Sequence, residues 1–261
     1  HNIMTVSSLW SVLDESNCGR PVGVECFPLG TTLAVDTSIW ICEALTSTAL
    51  SSFHSDPVLY LIYQRTTKLL KRGLGLIFVL EGDRRVSNDN GGQELKKRRS
   101  SSQFFAATTR CEALLRMLGV PVVRAEANGE ALCSLLNIEG IVQGVISNDS
   151  DCLLFGSKTI YKNFTLENLE HRTVMRYDAD RLRVAVDGSN RSITLSREDL
   201  VAFALLTGSD MTTGISNVGH KKAIAFIDAC RGLAQQPNER SCLDRLLELC
   251  EEITTHNAAV H

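Results

Sequence analysis

The sequence predicts an α/β domain with a mostly parallel central sheet flanked by helices. Short apolar runs rich in β-branched residues alternate with segments of helical period, and most of the runs end in an acid or a turn. The chain of 261 residues is 44 % hydrophobic, which is enough for a sizeable core. The predicted strands are TTLAVD (31–36), LGLIFVLEG (74–82), VPVV (120–123) and GVISND (144–149).

Helical segments separate these strands. Residues 56–73 begin with Asp-Pro and stop at a glycine, and residues 102–119 and 128–140 repeat their apolar positions with helical spacing. The polar and strongly charged segment 82–102 interrupts the alternation. We therefore expect a mobile loop or a partly helical arm there.

The pattern changes after residue 157. KTIYKNF and TVMRYD are typical of strands, and residues 184–195 contain an Asp-Gly turn that indicates a hairpin or an insertion. Residues 196–208 form a helix pattern with a serine cap and a glycine stop. Residues 214–232 predict a glycine-punctuated turn that leads into an amphipathic helix.

Composition excludes some classes of function. No run approaches the roughly 18 apolar residues of a membrane helix, and the N-terminal segment lacks the features of a secretory signal. The nine cysteines include no CxxC pair, so a zinc site is not expected. The net charge of −3 argues mildly against nucleic-acid binding, but basic residues cluster at 96–99 and 220–222. Local fields, not net charge, decide where a polyanion binds.

Acidic side chains stand at the ends of predicted strands. Asp36, Glu81 and Asp149 each close a strand, and Asp151 follows two residues later. The carboxyl ends of parallel strands meet at one edge of a sheet, where sites form. Carboxylate oxygens suit Mg²⁺ or Mn²⁺, and two such ions about 4 Å apart can activate a water and stabilise a leaving oxygen of a phosphodiester. The alternative for a single Asp-x-Asp is a solvated turn.

Six ordered motifs strengthen the metal-site interpretation. They are LAVDTSIWICEA, IFVLEGD, NGEALCSLL, VISNDSDCLLFGSKTIYKNF, LLTGSDM and GISNVGHKKA. Together they resemble the flap endonuclease/XPG family of structure-specific nucleases. The stretches DTSIWICEA, NDSDCLLFG and YKNFT look most like its GEN-type, Holliday-junction-resolving branch.

The resemblance implies a Mg²⁺-dependent endonuclease, with Mn²⁺ as a substitute and two ions per site. The matching catalytic and metal-binding acids are Asp36, Glu81, Glu130, Asp149, Asp151 and Asp210. The first four would surround one ion, and Asp151 with Asp210 would surround the other, with sharing of Asp149 between the two left open. Helix capping is the alternative for Asp36 and Asp210, and a solvated helix face is the alternative for Glu130.

The resemblance also implies two DNA-binding elements. GISNVGHKK would be a helix-two-turn-helix element that holds a duplex backbone through Gly214, Ser216, Gly219, Lys221 and Lys222, with K⁺ at its carbonyls as a further expectation. Lys96, Lys97, Arg98 and Arg99 would grip the cleaved strand from an arch over the site. A plain packing corner and a solvated basic run, or a nuclear-import signal, are the respective alternatives.

Several positions depart from the family pattern, and two of them lie in the expected metal site and DNA-binding turn. Asn128 stands where the third motif has its first glutamate, which predicts a weaker ion site, and Asn217 stands where the turn usually has glycine. Two hypotheses follow from the first departure. The chain is either an active endonuclease for 5′-flaps, forks or four-way junctions in DNA repair and recombination, or a junction-binding relative that cuts poorly or not at all.

The remaining expectations concern organisation and partners. Residues 4–160 would form the N-terminal part of the nuclease with the arch at 82–102, residues 120–210 its internal segment, and residues 208–250 the helix-two-turn-helix element. We expect branched double-stranded DNA as the partner, no membrane, and a nuclear location. The protein would be a monomer free in solution, and a dimer on a four-way junction is left open.

Overall fold

The apolar runs of the sequence form a mostly parallel sheet in the computed structural model. The structure describes residues 6, 8–82, 94–164, 173–186, 191–209, 212–233 and 241–259, without the side chains of 94–101, 232–233 and 252–259. Contacts divide the chain into two units, residues 21–176 and residues 1–20 with 177–261, and each unit is described by itself.

In the described part of the chain, the large sheet contains β1 (Arg20–Gly23), β2 (Thr32–Asp36), β3 (Gly75–Leu80), β4 (Val122–Arg124), β5 (Gly144–Ile146), β6 (Thr159–Lys162) and β7 (Thr173–Asp178). Their order is β1-β7-β6-β5-β2-β3-β4. Each neighbouring pair from β6 to β4 is parallel, so the predicted fold class is confirmed.

Helices connect these strands, as the alternating pattern predicted. They are α2 (Thr37–Thr46), α3 (Thr48–Phe53), α4 (Pro57–Leu70), α5 (Glu94–Met117), α6 (Gly129–Ile138) and α7 (Asp151–Leu154), while α1 (Leu9–Glu15) belongs to the other unit. The Asp56 carboxylate accepts a bond from Leu59 N–H, and Pro57 occupies the first turn of α4, so that helix starts where its sequence signals stand.

The core of the 21–176 unit lies between the sheet and these helices. Val35, Phe78 and Ile146 come from three adjacent strands, and Trp40 packs edge-on against Phe78 with ring centroids 5.8 Å apart. Trp40 is a buried core residue. Burial of such large apolar side chains is the main favourable term that holds the layers together.

The segment 82–102 is partly helical, which is one of the two forms expected for it. The helix expected over 102–119 begins earlier than predicted, at Glu94, so Lys96, Lys97, Arg98 and Arg99 lie on α5. Glutamate, leucine, lysine and arginine are good helix formers, and this propensity outweighs the polarity that suggested a loop. Residues 83–93 of the predicted arch lie outside the described residues.

In its described part, the other unit contains a small hairpin and three α-helices in addition to α1. The antiparallel strands β8 (Arg183–Ala185) and β9 (Ser192–Thr194) confirm the hairpin, while its Asp-Gly turn lies outside the described residues. The helices are α8 (Arg197–Thr207), α9 (His220–Leu233) and α10 (Cys242–Ala259). Ser196 and Asp199 form a capping box that starts α8. Within the described ranges, every helix is too short or too polar to serve as a membrane span.

Candidate metal centre and nucleic-acid interface

Three predicted site acids stand at the same edge of the large sheet. Asp36 is the last residue of β2, Glu81 follows β3 directly, and Asp149 comes shortly after β5. The register pairs Asp36 with Val79 on one side and Val35 with Ile146 on the other. Parallel strands that end together therefore carry these acids to one rim.

Asp36 is almost fully buried and is held by two serines. Its Oδ1 accepts bonds from the Ser38 N–H (3.2 Å) and hydroxyl (2.5 Å), and its Oδ2 accepts a bond from the Ser147 hydroxyl at 3.1 Å. Burial raises the pKa of Asp36 to about 6; the serine bonds oppose this rise and the nearby Glu81 adds to it. Asp36 does cap α2, but the cap engages only one of its two oxygens.

Asp149 is buried, so it is not part of a solvated turn. Its Oδ1 accepts a bond from the Asp151 N–H at 2.9 Å, and its own N–H donates to the Ser147 hydroxyl oxygen at 3.0 Å. Burial raises the pKa of Asp149 to about 8, helped by the carboxylates of Asp151, Glu130 and Asp36 and opposed by the Asp151 N–H.

The end of β3 is fastened to the start of α6. The Gly129 N–H donates to Glu81 Oε1 at 3.2 Å, and the Gly82 N–H donates to the Ala127 carbonyl at 3.2 Å. Only glycine fits at position 82, because a Cβ there would lie 2.6 Å from the Ala125 carbonyl oxygen. This close approach brings the first turn of α6, with Glu130, to the rim.

Asn128 is the residue that caps this helix start. Its backbone is extended, yet its side chain makes no capping bond to α6 and is half-buried. The side-chain oxygen of an asparagine at this position usually accepts a hydrogen bond from an N–H group in the first turn of the helix. The amide oxygen of Asn128 does not make this capping bond.

Five of the six predicted acids lie close enough together for their charges to interact. The pKa of Asp149 responds to Asp151, Glu130 and Asp36, and the pKa of Asp36 responds to Glu81. Asp210 lies outside the described residues. In the described part of the chain, no three carboxylate, imidazole or thiolate side chains are grouped closely enough to hold an ion as they stand. The division of the acids between two ions stays a prediction.

The chemistry of this rim fits a hard divalent cation. Its donors are carboxylate, amide and hydroxyl oxygens, which Mg²⁺ and Mn²⁺ prefer. The raised pKa values of Asp36 and Asp149 show that the folded chain disfavours their charged forms. A bound cation would remove that penalty, because an opposite charge favours the ionised carboxylate.

Sequence reasoning missed Ser38, Ser147 and Arg65. Arg65 is 1 % exposed, pairs with Glu43 at 2.5 Å and lies 5.0 Å from the Trp40 ring. It lines a small cleft with residues that include Ser147. Ser38 and Ser147 fall within quoted motifs, but serine is a common residue and nothing in the local pattern marks these two as partners of Asp36. Arg65 lies in none of the motifs.

The predicted helix-two-turn-helix sequence forms a turn between α8 and α9. Gly208 caps α8, and Gly214 has a φ of +71° and packs so tightly that an added Cβ would lie 2.5 Å from Gly208 N. Gly214 therefore has a structural reason to be glycine. Asn217 has a φ of +64°, which asparagine adopts more readily than other residues with side chains. A Cβ at Gly219 would meet nothing within 4 Å.

The end of this turn is open and basic. Ser216 and Lys221 are exposed, and the Lys222 ammonium donates to the Asn217 carbonyl at 2.8 Å. Backbone N–H groups at the start of α9 and these cations are groups that suit a phosphate. The side chains of Lys96, Lys97, Arg98 and Arg99 fall outside the description.

The chain is similar in sequence and in fold to known proteins. Residues 4–104 match the XPG N-terminal domain, and residues 119–210 match the XPG I-region. The human protein Flap endonuclease GEN homolog 1 is 31 % identical over 261 residues, which cover 92 % of this chain and 27 % of that protein. The crystal structure of human GEN1 with Holliday junction DNA matches with a TM-score of 0.72 at 26 % identity, over 97 % of this chain and 62 % of that one. A second GEN1 structure, with product DNA and a Mg²⁺ ion, has a TM-score of 0.64 at 24 % identity, over 92 % of this chain and 55 % of that one, and shows the fold alone.

The chain belongs to the flap endonuclease/XPG family of structure-specific nucleases. GEN-type proteins from human and mouse resemble it over most of its length, so the branch predicted from the motifs is supported. The chain spans about a quarter of the length of these two proteins, 27 % and 25 % respectively.

Proposed function

We propose that this chain is the nuclease core of a structure-specific endonuclease that hydrolyses one phosphodiester at branched DNA. The observation that carries the proposal is the rim where buried Asp36 and Asp149 lie among further carboxylates. Burying acids beside one another is costly unless something offsets it. A catalytic divalent cation supplies that offset, and the family provides the reaction class.

The residues proposed to hold the ions all have oxygen ligands. They are Asp36, Glu81, Glu130, Asp149, Asp151 and Asp210, with Asn128 as a weaker ligand. Bound Mg²⁺ or Mn²⁺ supplies activation of water and stabilisation of negative charge at the reacting phosphate. Two ions per site are part of the proposal.

Within that site, the chain's own groups orient the carboxylates. Ser38 and Ser147 hold both oxygens of Asp36, the Asp151 N–H holds Asp149, and the Gly129 N–H holds Glu81. A rigid set of ligands selects one position for the scissile phosphate, which is how positioning lowers a barrier.

DNA contacts are assigned to groups outside the rim. The turn at 214–222 would bind a duplex backbone through Gly214, Ser216, Gly219, Lys221 and Lys222, with K⁺ at its carbonyls as part of the proposal. Lys96 to Arg99 on α5 would bind the cleaved strand. Such contacts carry no base information, so selectivity would come from the shape and deformability of the junction.

The experiment that tests this function is a cleavage assay on 5′-flap, replication-fork and four-way substrates with Mg²⁺ and, separately, Mn²⁺. We expect single-strand incision near the branch point of at least one substrate and no incision of a linear duplex. Absence of incision in both metals would contradict the proposed activity.

A second candidate function rests on Asn128. Replacing a carboxylate with an amide removes one negative charge from the cation site, which favours a junction-binding protein that cuts poorly. The variant Asn128→Glu separates the two functions. An active but weakened enzyme should already cut with asparagine at this position and should gain activity at low Mg²⁺ with glutamate. A binding protein that owes its inactivity to Asn128 should bind junctions without cutting them, and should begin to cut only as Asn128→Glu.

The proposed role of the turn has its own test. Lys221→Gln together with Lys222→Gln should lower junction affinity at about 100 mM salt by roughly tenfold and reduce the salt slope by about 1–2. The matched control is Lys158→Gln, an exposed lysine that donates to the Ile138 carbonyl in the other unit. Equal losses in both variants would contradict a specific role for the turn.

Assembly and location complete the proposal. We propose a monomer in solution that forms a dimer on a four-way junction, in the nucleus. Analytical ultracentrifugation with and without junction DNA, and imaging of a tagged protein, test these two statements.

A further inference from the structure

Ser147 stands at the point where two of the proposed metal-binding strands end. It follows β5 directly, and the register places it beside Asp36 at the end of β2. It is 3 % exposed, so its hydroxyl must find its partners inside the protein.

The hydroxyl joins two acids that are distant in sequence. It donates to Asp36 Oδ2 at 3.1 Å and accepts the Asp149 N–H at 3.0 Å. The Asp149 carboxylate in turn accepts the Asp151 N–H at 2.9 Å. A continuous chain of hydrogen bonds therefore runs from β2 through Ser147 into the Asp-x-Asp segment.

Only one of these two bonds is local. The bond from Asp149 N–H to a hydroxyl two residues earlier is an ordinary serine turn, which would form in many loops. The bond to Asp36 spans 111 residues and has no role in such a turn. It fixes the oxygen of Asp36 that the α2 cap does not use.

A hydroxyl suits this position because it is neutral. It can orient a carboxylate without cancelling its charge, whereas a lysine or arginine would compete with the cation. Partners that orient metal ligands in this way typically affect metal affinity by 10–100-fold.

We infer that Ser147 is a positioning residue that holds Asp36 and Asp149 in register for divalent-cation binding. The inference rests on the proposed function only through the location of the metal site. It concerns binding of the ion, so it can be tested without cleavage.

Ser150 provides a matched control. It is also fully buried and lies three residues away, but its hydroxyl has no hydrogen-bond partner in the described structure. Ser147→Ala and Ser150→Ala therefore delete the same atom from the same loop, and only the first deletion removes a bond to a carboxylate.

The test is calorimetric titration of the DNA-free protein with Mn²⁺. We expect Ser147→Ala to weaken Mn²⁺ binding by about tenfold, Ser150→Ala to stay within twofold of the wild type, and Ser147→Thr, which keeps the hydroxyl, to restore most of the affinity. A melting curve of each variant confirms that it is folded.

Several results would overturn the inference. Unchanged affinity in Ser147→Ala, equal losses in the Ser147 and Ser150 variants, or a threonine variant as weak as the alanine variant would each do so. Absence of Mn²⁺ binding by the wild type would also overturn it. A wild type that binds Mn²⁺ but cuts no junction would contradict the proposed function and leave the inference intact.

Discussion

Asp149 at the rim and Glu112 on α5 are acids of the same unit in opposite environments. Glu112 accepts bonds from Arg116 at 2.8 Å and from Arg124 at 2.6 Å, and these cations lower its pKa. Asp149 is buried among carboxylates, and its pKa rises to about 8. The environment of Glu112 stabilises its charged form and so stabilises the fold. The environment of Asp149 disfavours its charged form and so destabilises the fold when that acid is ionised.

This difference separates structural acids from functional ones. An acid that only supports the fold is best placed beside a cation, as Glu112 is. The rim instead holds Asp36 and Asp149 with hydroxyl and N–H groups, which orient the carboxylates without neutralising them. Perturbed pKa values of this kind cluster at functional sites because catalysis, not stability, needs them.

The largest expected effect is the loss of cleavage when an acid of the rim is replaced. Asp149→Asn or Asp151→Asn should lower the cleavage rate by at least about a thousandfold, equivalent to about 4 kcal/mol of transition-state stabilisation. Junction affinity, measured by fluorescence anisotropy without divalent ions, should change by less than about threefold. The control is Asp180→Asn, an exposed aspartate. Parallel loss of affinity and cleavage would refute the assignment.

The second largest expected effect is stabilisation of the folded protein by a divalent cation that binds at the rim. At about 100 times the dissociation constant, Mg²⁺ should raise the free energy of unfolding by about 2.7 kcal/mol, because it binds the folded state alone. Thermal denaturation with MgCl₂, compared with NaCl at equal ionic strength, measures this. Asp149→Asn should lose most of the gain, and Glu112→Gln should keep it; the reverse order would contradict a metal site at the rim.

The pH dependence of stability should distinguish the two environments. In the folded protein the pKa values of Asp36 and Asp149 rise to about 6 and about 8, so this state binds more protons than the unfolded chain above roughly pH 4. Stability without divalent ions should therefore fall as the pH rises from about 4 to 8, with a slope of up to about 1.4 kcal/mol per pH unit for each acid. Urea denaturation with a chelator measures it.

Asp149→Asn should flatten the upper part of this profile, between about pH 6 and pH 8. The asparagine does not ionise, so the cost of charging a buried carboxylate disappears. An unchanged slope in this variant would mean that another group causes the dependence.

The smallest expected effect is on stability, when Glu112 with its arginine partners is replaced. Glu112→Gln should lower the free energy of unfolding at pH 7 by about 0.5–1 kcal/mol, since ion pairs at the surface contribute little. The pKa of Glu112 is lowered, so this difference should vanish as the pH falls below about 4, opposite in sign to the effect of Asp149→Asn. Urea denaturation of Glu112→Gln beside Glu139→Gln, an exposed glutamate directly after α6, checks it.

Much of the site could be predicted because strand ends are local features. TTLAVD and LGLIFVLEG contain their own strand and the acid that ends it, and alternation with helices implies a parallel sheet. The start of α5 was predicted too late because the polarity of 82–102 left a loop and a partly helical arm both open, whereas helix propensity extends the helix to Glu94. The roles of Asp210 and Lys96 to Arg99 stay predictions.

The sequence by itself determined which acids stand at strand ends and which glycines interrupt helices, because those features depend on neighbours in the chain. Only the tertiary structure decided that the Ser147 hydroxyl reaches Asp36, that Gly82 lies against the Ala125 carbonyl, and that Glu112 lies beside arginines while Asp149 is buried near other carboxylates. These outcomes depend on distances between segments far apart in the chain, and on burial, which no local pattern contains. Two carboxylates of the same chemistry therefore acquire opposite pKa shifts once the chain has folded.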